Sequence, residues 1–185
     1  DSDVAVLWEM TRMLLRPYTN IGFRKYVGHG GGALRKKCGA WAVNLVERGC
    51  PYIVAMHDLD EHNEAELRAH IESAIATAKT KARVVLIPKH EIESWLMYDP
   101  EAIATAFKQT KLIKLPANPE GIKDAKEHLG KLIWKHYHKI YLHTAHNEQI
   151  AKRVRIASLS KAKSFAPHPL FVAQIKADLK NLKKK

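Results

Sequence analysis

Two short and continuous apolar segments constrain the fold of this chain more than any other feature. Tyr52–Met56 and residues 83–87 each have the length of a strand, and residues 63–79 between them have the spacing of an amphipathic helix. Strands that are apolar on both faces and alternate with helices are typical of a parallel sheet covered by helices. The sequence therefore predicts an α/β fold built on a small parallel sheet.

The other periodic segments predict further helices and one more strand. Alternation of apolar and polar residues predicts a strand at residues 21–27. Helical spacing predicts helices at residues 4–15, 33–48, 91–97, 100–107, 122–134 and 170–182. A chain of 185 residues has the size of one domain. We expect an α/β core at residues 1–115 and a helical, basic C-terminal extension of the same domain at residues 116–185.

Positive charge is concentrated near the C-terminus. The net charge is +12, and the segment from Lys152 to the end has ten Lys or Arg residues and one acid, Asp178. A basic segment beside a nearly neutral remainder predicts an anionic partner, most often nucleic acid. Lys152, Arg153 and Arg155 are the predicted backbone contacts. For the final lysine triplet, a solvated tail is the alternative.

Hydropathy and cysteine content indicate the compartment. No apolar segment approaches the roughly 20 residues that a membrane span requires, so we expect no membrane partner. Cys38 and Cys50 form no CxxC pair. This usage predicts reduced thiols and a cytoplasmic protein.

Three polar clusters follow predicted strands and are expected at one sheet edge, where ligands of parallel sheets collect. The first is the glycine-rich loop with Gly30, Gly31 and Gly32, which precedes a helix carrying Lys36. Backbone amides and a helix N-terminus favour phosphate there. A plain flexible connection is the alternative, because the spacing matches neither a P-loop nor a dinucleotide fingerprint.

The second cluster is the acid pair Asp58 and Asp60, directly after the first apolar strand. Two carboxylates this close repel each other unless a cation lies between them, and Mg²⁺ or Mn²⁺ is the natural ion. The alternative is that both acids open a turn and cap the next helix. A phosphoacceptor aspartate paired with Lys89 is a further interpretation, which the helical C-terminal third fits poorly.

The third cluster contains Lys89, Glu91 and Glu93, after the second strand. The segment HDLD, followed by a strand and by EIESWLMYDPEAI, resembles the Toprim-like proteins. It is similar in particular to small uncharacterised Toprim-related proteins akin to the overcoming-lysogenisation-defect nucleases. The later segments KLIWKHYHKIY and IASLSKAKSFAPHPLFVAQI resemble the same family, so the likeness covers nearly the whole chain.

The resemblance implies a Toprim fold and Mg²⁺-dependent nucleic-acid chemistry. It implies that Asp58 and Asp60 form the metal and catalytic set with an acid of the second motif, Glu93 in preference to Glu91. Lys89 would stabilise charge on phosphate. Toprim proteins also have a glutamate at the end of their first strand. That strand is expected upstream of Asp1.

Histidines and tryptophans suggest other roles. His143 and His146 lie at a spacing that can chelate zinc on one helix face, with scattered surface histidines as the alternative. The four tryptophans, Trp8, Trp41, Trp95 and Trp134, lie on apolar faces of predicted helices. We expect all four in the core and none as a base-stacking platform.

The sequence thus predicts a Mg²⁺-dependent nuclease that acts on DNA or RNA, in defence against phages or mobile elements. The alternative is a non-catalytic module that binds nucleic acid or a protein partner and retains a degraded Toprim site. A protein partner in a defence complex and a homo-oligomer are further expectations.

Overall fold

The structure is a computed structural model, and it describes residues 2–28 and 31–182. The chain divides into two compact units. The first unit is formed by Asp1–Leu14 and Pro88–Phe165, and the second by Leu15–Ile87 and Ala166–Lys185. The predicted boundary after residue 115 falls inside the first unit.

The described residues form a mixed α/β protein that is mostly helical. Two strands, β1 (Tyr52–Met56) and β2 (Ala82–Leu86), pair in parallel, from Tyr52 opposite Ala82 to Met56 opposite Leu86. The helices are α1 (Ser2–Leu15), α2 (Gly31–Glu47), α3 (Glu64–Ile75), α4 (Glu93–Leu96), α5 (Pro100–Ala106), α6 (Ala125–Tyr137), α7 (His143–Ala151) and α8 (Pro167–Leu182). Short 3-10 turns cover Pro119–Gly121, Ser158–Lys161 and Lys163–Phe165. The predicted small parallel sheet and its flanking helices are confirmed.

The second unit is organised around this sheet. Helix α2 contacts β1 and α3, and both α3 and α8 contact β2. On α3 the buried residues are Leu67, Ile71 and Ile75, which recur every four residues and so form one apolar stripe. That stripe packs into a cluster with Cys38 and Ala42 of α2 and with buried residues of both strands. Apolar burial against two short strands explains why this region folds as the hydrophobic pattern predicts.

The first unit is helical in all its described elements. Helix α4 contacts α6 and α7, and α5 contacts α7. Trp95 is fully buried at the centre, where its ring meets Phe165 edge to face at 5.2 Å between centroids. Its indole nitrogen donates to the hydroxyl of Ser164 at 2.7 Å, so the polar end of the ring is also satisfied. The prediction that Trp95 is a core residue is confirmed.

The predicted strand at residues 21–27 is wrong. These residues have no regular secondary structure, and Phe23 and Tyr26 are exposed. Alternation predicts a strand only where a neighbouring strand supplies backbone hydrogen bonds and one face is buried. Tyr26 instead stacks on Trp41 of α2 at 5.3 Å and donates a hydrogen bond to Asn44.

The search for membrane-spanning elements gives a negative result for the described part of the chain. Within residues 2–28 and 31–182, no helix combines the length and the apolar character that crossing a bilayer requires.

Helices α2 and α3 approach closely at Gly39. A Cβ atom there would lie 2.9 Å from the backbone carbonyl oxygen of Ala74, and this distance forces the helices apart. We therefore expect Gly39→Ala to lower the free energy of unfolding by about 1–3 kcal/mol, measured by chemical denaturation.

Gly130→Ala on α6 is the matched control. A Cβ atom at Gly130 meets its nearest neighbour, a ring carbon of Tyr141, at an ordinary 3.5 Å. Helix propensity then dominates, and we expect a gain of about 0.5–1 kcal/mol. A Gly39→Ala protein as stable as the parent would contradict the close packing of α2 on α3.

Candidate functional site

An open groove of about 720 Å³ lies in the second unit, lined by residues of α2 and α3 and by the turn before α3. Its cations come from α2, whose first turn begins at Gly31. The lining residues are Gly32, Arg35, Lys36, His62, Asn63, Glu66, Leu67, His70 and Ala74. The predicted phosphate contacts Gly32 and Lys36 therefore lie together in one concave surface.

The groove favours an anion. Arg35 and Lys36 outnumber the one lining carboxylate, Glu66, and the N-terminal end of α2 adds the positive end of the helix dipole. The Nε atom of Arg35 is buried and has no hydrogen-bond acceptor among the described residues. A phosphate oxygen is the kind of acceptor that would satisfy such a donor.

The opposite wall of the groove is fixed by the cap of α3. Asn63 accepts hydrogen bonds from the amides of Ala65 and Glu66, at 2.9 and 3.2 Å. This cap starts the helix at Glu64, so His62 and Asn63 lie in the turn that borders the groove. The capping role that the alternative interpretation gave to the aspartates is taken by Asn63.

Asp58 and Asp60 lie in the loop that joins β1 to this turn. The β1 ladder continues to His57, whose amide donates to the carbonyl oxygen of Leu86 at 3.1 Å. Asp58 is half-buried and Asp60 is exposed, with a φ of 46° in the left-handed region. The two side chains would point the same way only if the strand continued through both acids, and β1 ends before them. Both nevertheless follow β1, as predicted.

Two contacts fix the loop that carries Asp58 and Asp60 at its end beside the groove. The amide of His62 donates to the carbonyl oxygen of Leu59 at 3.0 Å, and the His57 and His62 rings meet at 5.8 Å. The acid loop therefore ends at a residue that lines the groove.

Glu91 belongs to the first unit and holds the start of α6. Its carboxylate accepts from the backbone amide of Lys126 at 2.6 Å and from the Lys126 ammonium at 3.0 Å. Asp124, the residue before α6, makes no side-chain capping bond, so a residue 35 positions away in sequence supplies one. Both oxygens of Glu91 are engaged within the chain.

Glu93 lies at the first position of α4 and is 1% exposed. It accepts hydrogen bonds from the side-chain amide of Asn147 at 2.9 Å and from the hydroxyl of Tyr141 at 3.4 Å. The single hydroxyl proton of Tyr141 is shared between Glu93 and the Asn147 side-chain oxygen, which is the nearer acceptor. Burial raises the pKa of the Glu93 carboxyl, and the hydrogen bond from Asn147 and the charge of Lys126 only partly oppose this.

The first unit contains the predicted contacts Lys89, Lys152, Arg153 and Arg155. Lys89 is half-buried in the bend after β2, and Gly30 lies outside the described residues. In the first unit, Lys152 pairs with Glu148, and Arg153 donates to the carbonyl oxygen of Gln149 at 2.7 Å. The guanidinium of Arg155 binds Asp99 and Glu101 at 2.8–3.1 Å. The nucleic-acid roles of these residues stay predictions.

The donor chemistry fits Mg²⁺ at the aspartates better than at the glutamates. Among the described residues, no group of three or more His, Cys, Asp or Glu side chains is arranged to hold a metal ion. Mg²⁺ needs only one or two protein carboxylates, which the loop with Asp58 and Asp60 supplies. Glu91 and Glu93 fit less well because their own chain binds their carboxylates.

Sequence reasoning missed part of the groove. His62, Asn63, Glu66 and His70 share one face of α3 and its preceding turn, at spacings of three and four residues. The sequence shows this polar spacing as well as the apolar stripe of α3, and it could have identified these residues as one surface. Nothing local in the sequence pointed to Asn147 and Tyr141 as partners of Glu93.

The raised pKa of Glu93 predicts a pH-dependent stability difference. A carboxyl that binds its proton more tightly when folded stabilises the protein at low pH, and this contribution is lost as pH rises through the folded pKa. Glutamine keeps an oxygen for Asn147 and Tyr141 but cannot ionise. We expect Glu93→Gln to gain stability over the parent above the ordinary glutamate pKa, by up to about 1.4 kcal/mol per pH unit.

The measurement is urea denaturation at a series of pH values, with the parent and Glu93→Gln compared at each. Glu47→Gln is the control, because Glu47 is exposed at the end of α2. A stability difference between the parent and Glu93→Gln that does not vary with pH would show that Glu93 titrates normally.

Comparison with known proteins identifies the family. Residues 32–167 match the family described as a domain of unknown function, DUF4276. The match covers most of the chain, so the chain belongs to this family. No curated protein and no solved structure matches the chain.

Proposed function

We propose that this member of the DUF4276 family binds the phosphate backbone of DNA or RNA and cleaves its phosphodiester bonds with Mg²⁺. One observation carries the proposal. The groove with Arg35 and Lys36 is bordered by the turn that ends the loop carrying Asp58 and Asp60. The second unit therefore contains both cations that can bind phosphate and two carboxylates of the kind that Mg²⁺ prefers. The loop that carries the carboxylates ends at the groove.

The proposed roles follow from the chemistry of each group. Arg35 and Lys36, with the amides at the start of α2, bind a backbone phosphate without reading the base sequence. Asp58 and Asp60 hold Mg²⁺ or Mn²⁺, which when bound supplies Lewis-acid polarisation of a phosphate oxygen. Lys89 as a stabiliser of phosphate charge stays a prediction. A ligand role for Glu93 requires its bonds to Asn147 and Tyr141 to open.

The proposal includes a Toprim-like relationship for the fold. It is supported by the parallel pair of strands with an acid pair directly after β1. We further propose a cytoplasmic protein in defence against phages or mobile elements. Support for the compartment comes from the two cysteines, which are both free thiols.

A second candidate is a protein that binds nucleic acid without cleaving it. This candidate is favoured by the state of the two glutamates, because Glu91 is occupied by Lys126 and Glu93 by Asn147. If both remain so, the acid pair lacks the further acidic ligand that the resemblance implies. Binding through the groove is common to both candidates, and only cleavage separates them.

The first prediction from the proposal concerns cleavage. Incubation of the full chain with single- and double-stranded DNA and RNA should give cleavage that requires Mg²⁺ or Mn²⁺. The double variant Asp58→Asn/Asp60→Asn should cleave at least about 100-fold more slowly, because a bound metal ion stabilises the charge of the transition state by several kcal/mol.

Gel electrophoresis of labelled substrates measures the rate, and a binding assay on the same proteins supplies the control. Loss of cleavage with binding retained would support the enzyme. Binding without cleavage by either protein would leave the second candidate, and cleavage unaffected by the double variant would rule out the aspartates as metal ligands.

The second prediction concerns binding. Lys36 and its neighbour Lys37 are both exposed, but only Lys36 lines the groove. Lys36→Ala should weaken nucleic-acid binding and reduce the slope of log K against log salt concentration by about 0.9, the loss of one phosphate contact. The matched variant Lys37→Ala should leave the slope unchanged. Fluorescence anisotropy at several salt concentrations measures both, and equal effects would contradict the groove as the binding site.

A further inference from the structure

Trp134, which periodicity predicted to be a core residue, is 58% exposed on α6 in the first unit. The prediction is wrong because burial on α6 follows Ala125, Leu129, Ile133 and Tyr137, and Trp134 lies one position beyond this stripe. A tryptophan that is more than half exposed leaves a large apolar ring in water. Such a residue on a helix surface requires an explanation.

Basic side chains flank the exposed indole. Lys131 lies three residues before Trp134 and His138 four residues after it, so both neighbour the indole on the helix surface. Lys135 is the next residue along α6. Lys131 forms an exposed ion pair with Glu127 at 2.7 Å, an interaction that contributes little. Lys135 is exposed. The His138 ring contacts Trp134 edge to face at 6.4 Å between centroids.

The cationic and apolar surface continues past the end of α6. His138 ends the helix in the left-handed conformation, with a φ of 53°. Lys139, Ile140 and Leu142 follow and are exposed. We define the surface formed by Trp134, Lys131, Lys135, His138 and Lys139 as the Trp134 platform.

We propose that the Trp134 platform binds single-stranded nucleic acid, with a base stacked on the indole and the backbone phosphates near the lysines. An aromatic face combined with a positively charged track is the arrangement that binds single strands without sequence preference. The inference rests on the proposed function, because it assumes a nucleic-acid partner. It adds the form of that partner, a strand with accessible bases. It also adds a second binding surface, which belongs to the first unit, whereas the groove belongs to the second.

The chemistry of the platform favours a single strand over other anions. A duplex offers phosphates to Lys135 and Lys139 but keeps its bases stacked inside, where the indole cannot reach their faces. An acidic protein segment would use the lysines and leave the ring without a planar partner. An anionic membrane would use both the lysines and Ile140 and Leu142, and it is therefore a separate arm of the test.

The test compares the parent with Trp134→Ala, Trp134→Phe and Leu170→Ala, in the full chain and with Asp58→Asn/Asp60→Asn as background to prevent cleavage. Leu170 is 74% exposed on α8 in the second unit and controls for the loss of exposed apolar surface. Affinities are measured by anisotropy for a labelled single-stranded oligonucleotide and for the matching duplex. Phosphatidylserine vesicles are tested by co-sedimentation.

We expect Trp134→Ala to weaken single-strand binding by between about 5-fold and about 100-fold, the range for loss of one stacked base. Trp134→Phe should retain most of the affinity, and Leu170→Ala should bind as the parent does. Duplex affinity should change much less than single-strand affinity in Trp134→Ala.

The outcomes separate this inference from the proposed function. Unchanged single-strand binding in Trp134→Ala, with binding still reduced by Lys36→Ala, would overturn the platform and leave the groove. Absence of any nucleic-acid binding would overturn both. Vesicle binding that depends on Trp134, without an effect on oligonucleotides, would assign the platform to a membrane surface and overturn the inference.

Discussion

Three carboxylates determine how the rest of the first unit is arranged. They lie near the start of its segment Pro88–Phe165, and Glu93 and Asp99 among them are buried. Glu91, Glu93 and Asp99 each accept hydrogen bonds from a different later segment of the chain. Their respective partners are Lys126 at the start of α6, Asn147 on α7, and Arg155 with Ser158 near the second 3-10 turn. A buried carboxylate without such partners costs several kcal/mol, so each segment must dock at its own acid. Apolar packing alone would not specify these positions.

Asp99 shows how such a site balances opposing effects. It is fully buried, and its carboxylate accepts hydrogen bonds from the Arg155 guanidinium and from the amide of Ala102 in the first turn of α5. Burial by itself raises the pKa of Asp99, but the hydrogen bonds from Arg155 and Ala102 together outweigh it and hold this pKa below its ordinary value. One side chain thus caps a helix and binds a segment 56 residues away.

This arrangement explains why the sequence predicted the elements better than the site. A continuous apolar run such as β1 is local information, and its bounds agree with the prediction. The alternating segment at residues 21–27 failed because no strand in the described chain pairs with it. The partners of Glu93 lie 48 and 54 residues away, and nothing in the local pattern encodes such a pairing. Trp134 was misplaced because periodicity locates a stripe only to within one residue.

The acidic segment that follows β2 is occupied by structural contacts. In EIESWLMYDPEAI, Glu91, Glu93, Trp95 and Asp99 all have structural partners within the first unit. A similar pattern in another protein can therefore reflect the demands of folding as well as those of catalysis.

Asp58 and Asp60, and not the groove, decide between the two candidate functions. Arg35 and Lys36 attract phosphate whether or not a metal is bound, so binding is expected of an enzyme and of a binding protein alike. Two carboxylates near a bound phosphate repel it, and a divalent cation removes that repulsion. In a protein that only bound nucleic acid, the two acids would be turn residues, as the φ of 46° at Asp60 permits. Both acids lie in the loop that ends at the groove's border, so their replacement separates a metal-dependent enzyme from a binding protein.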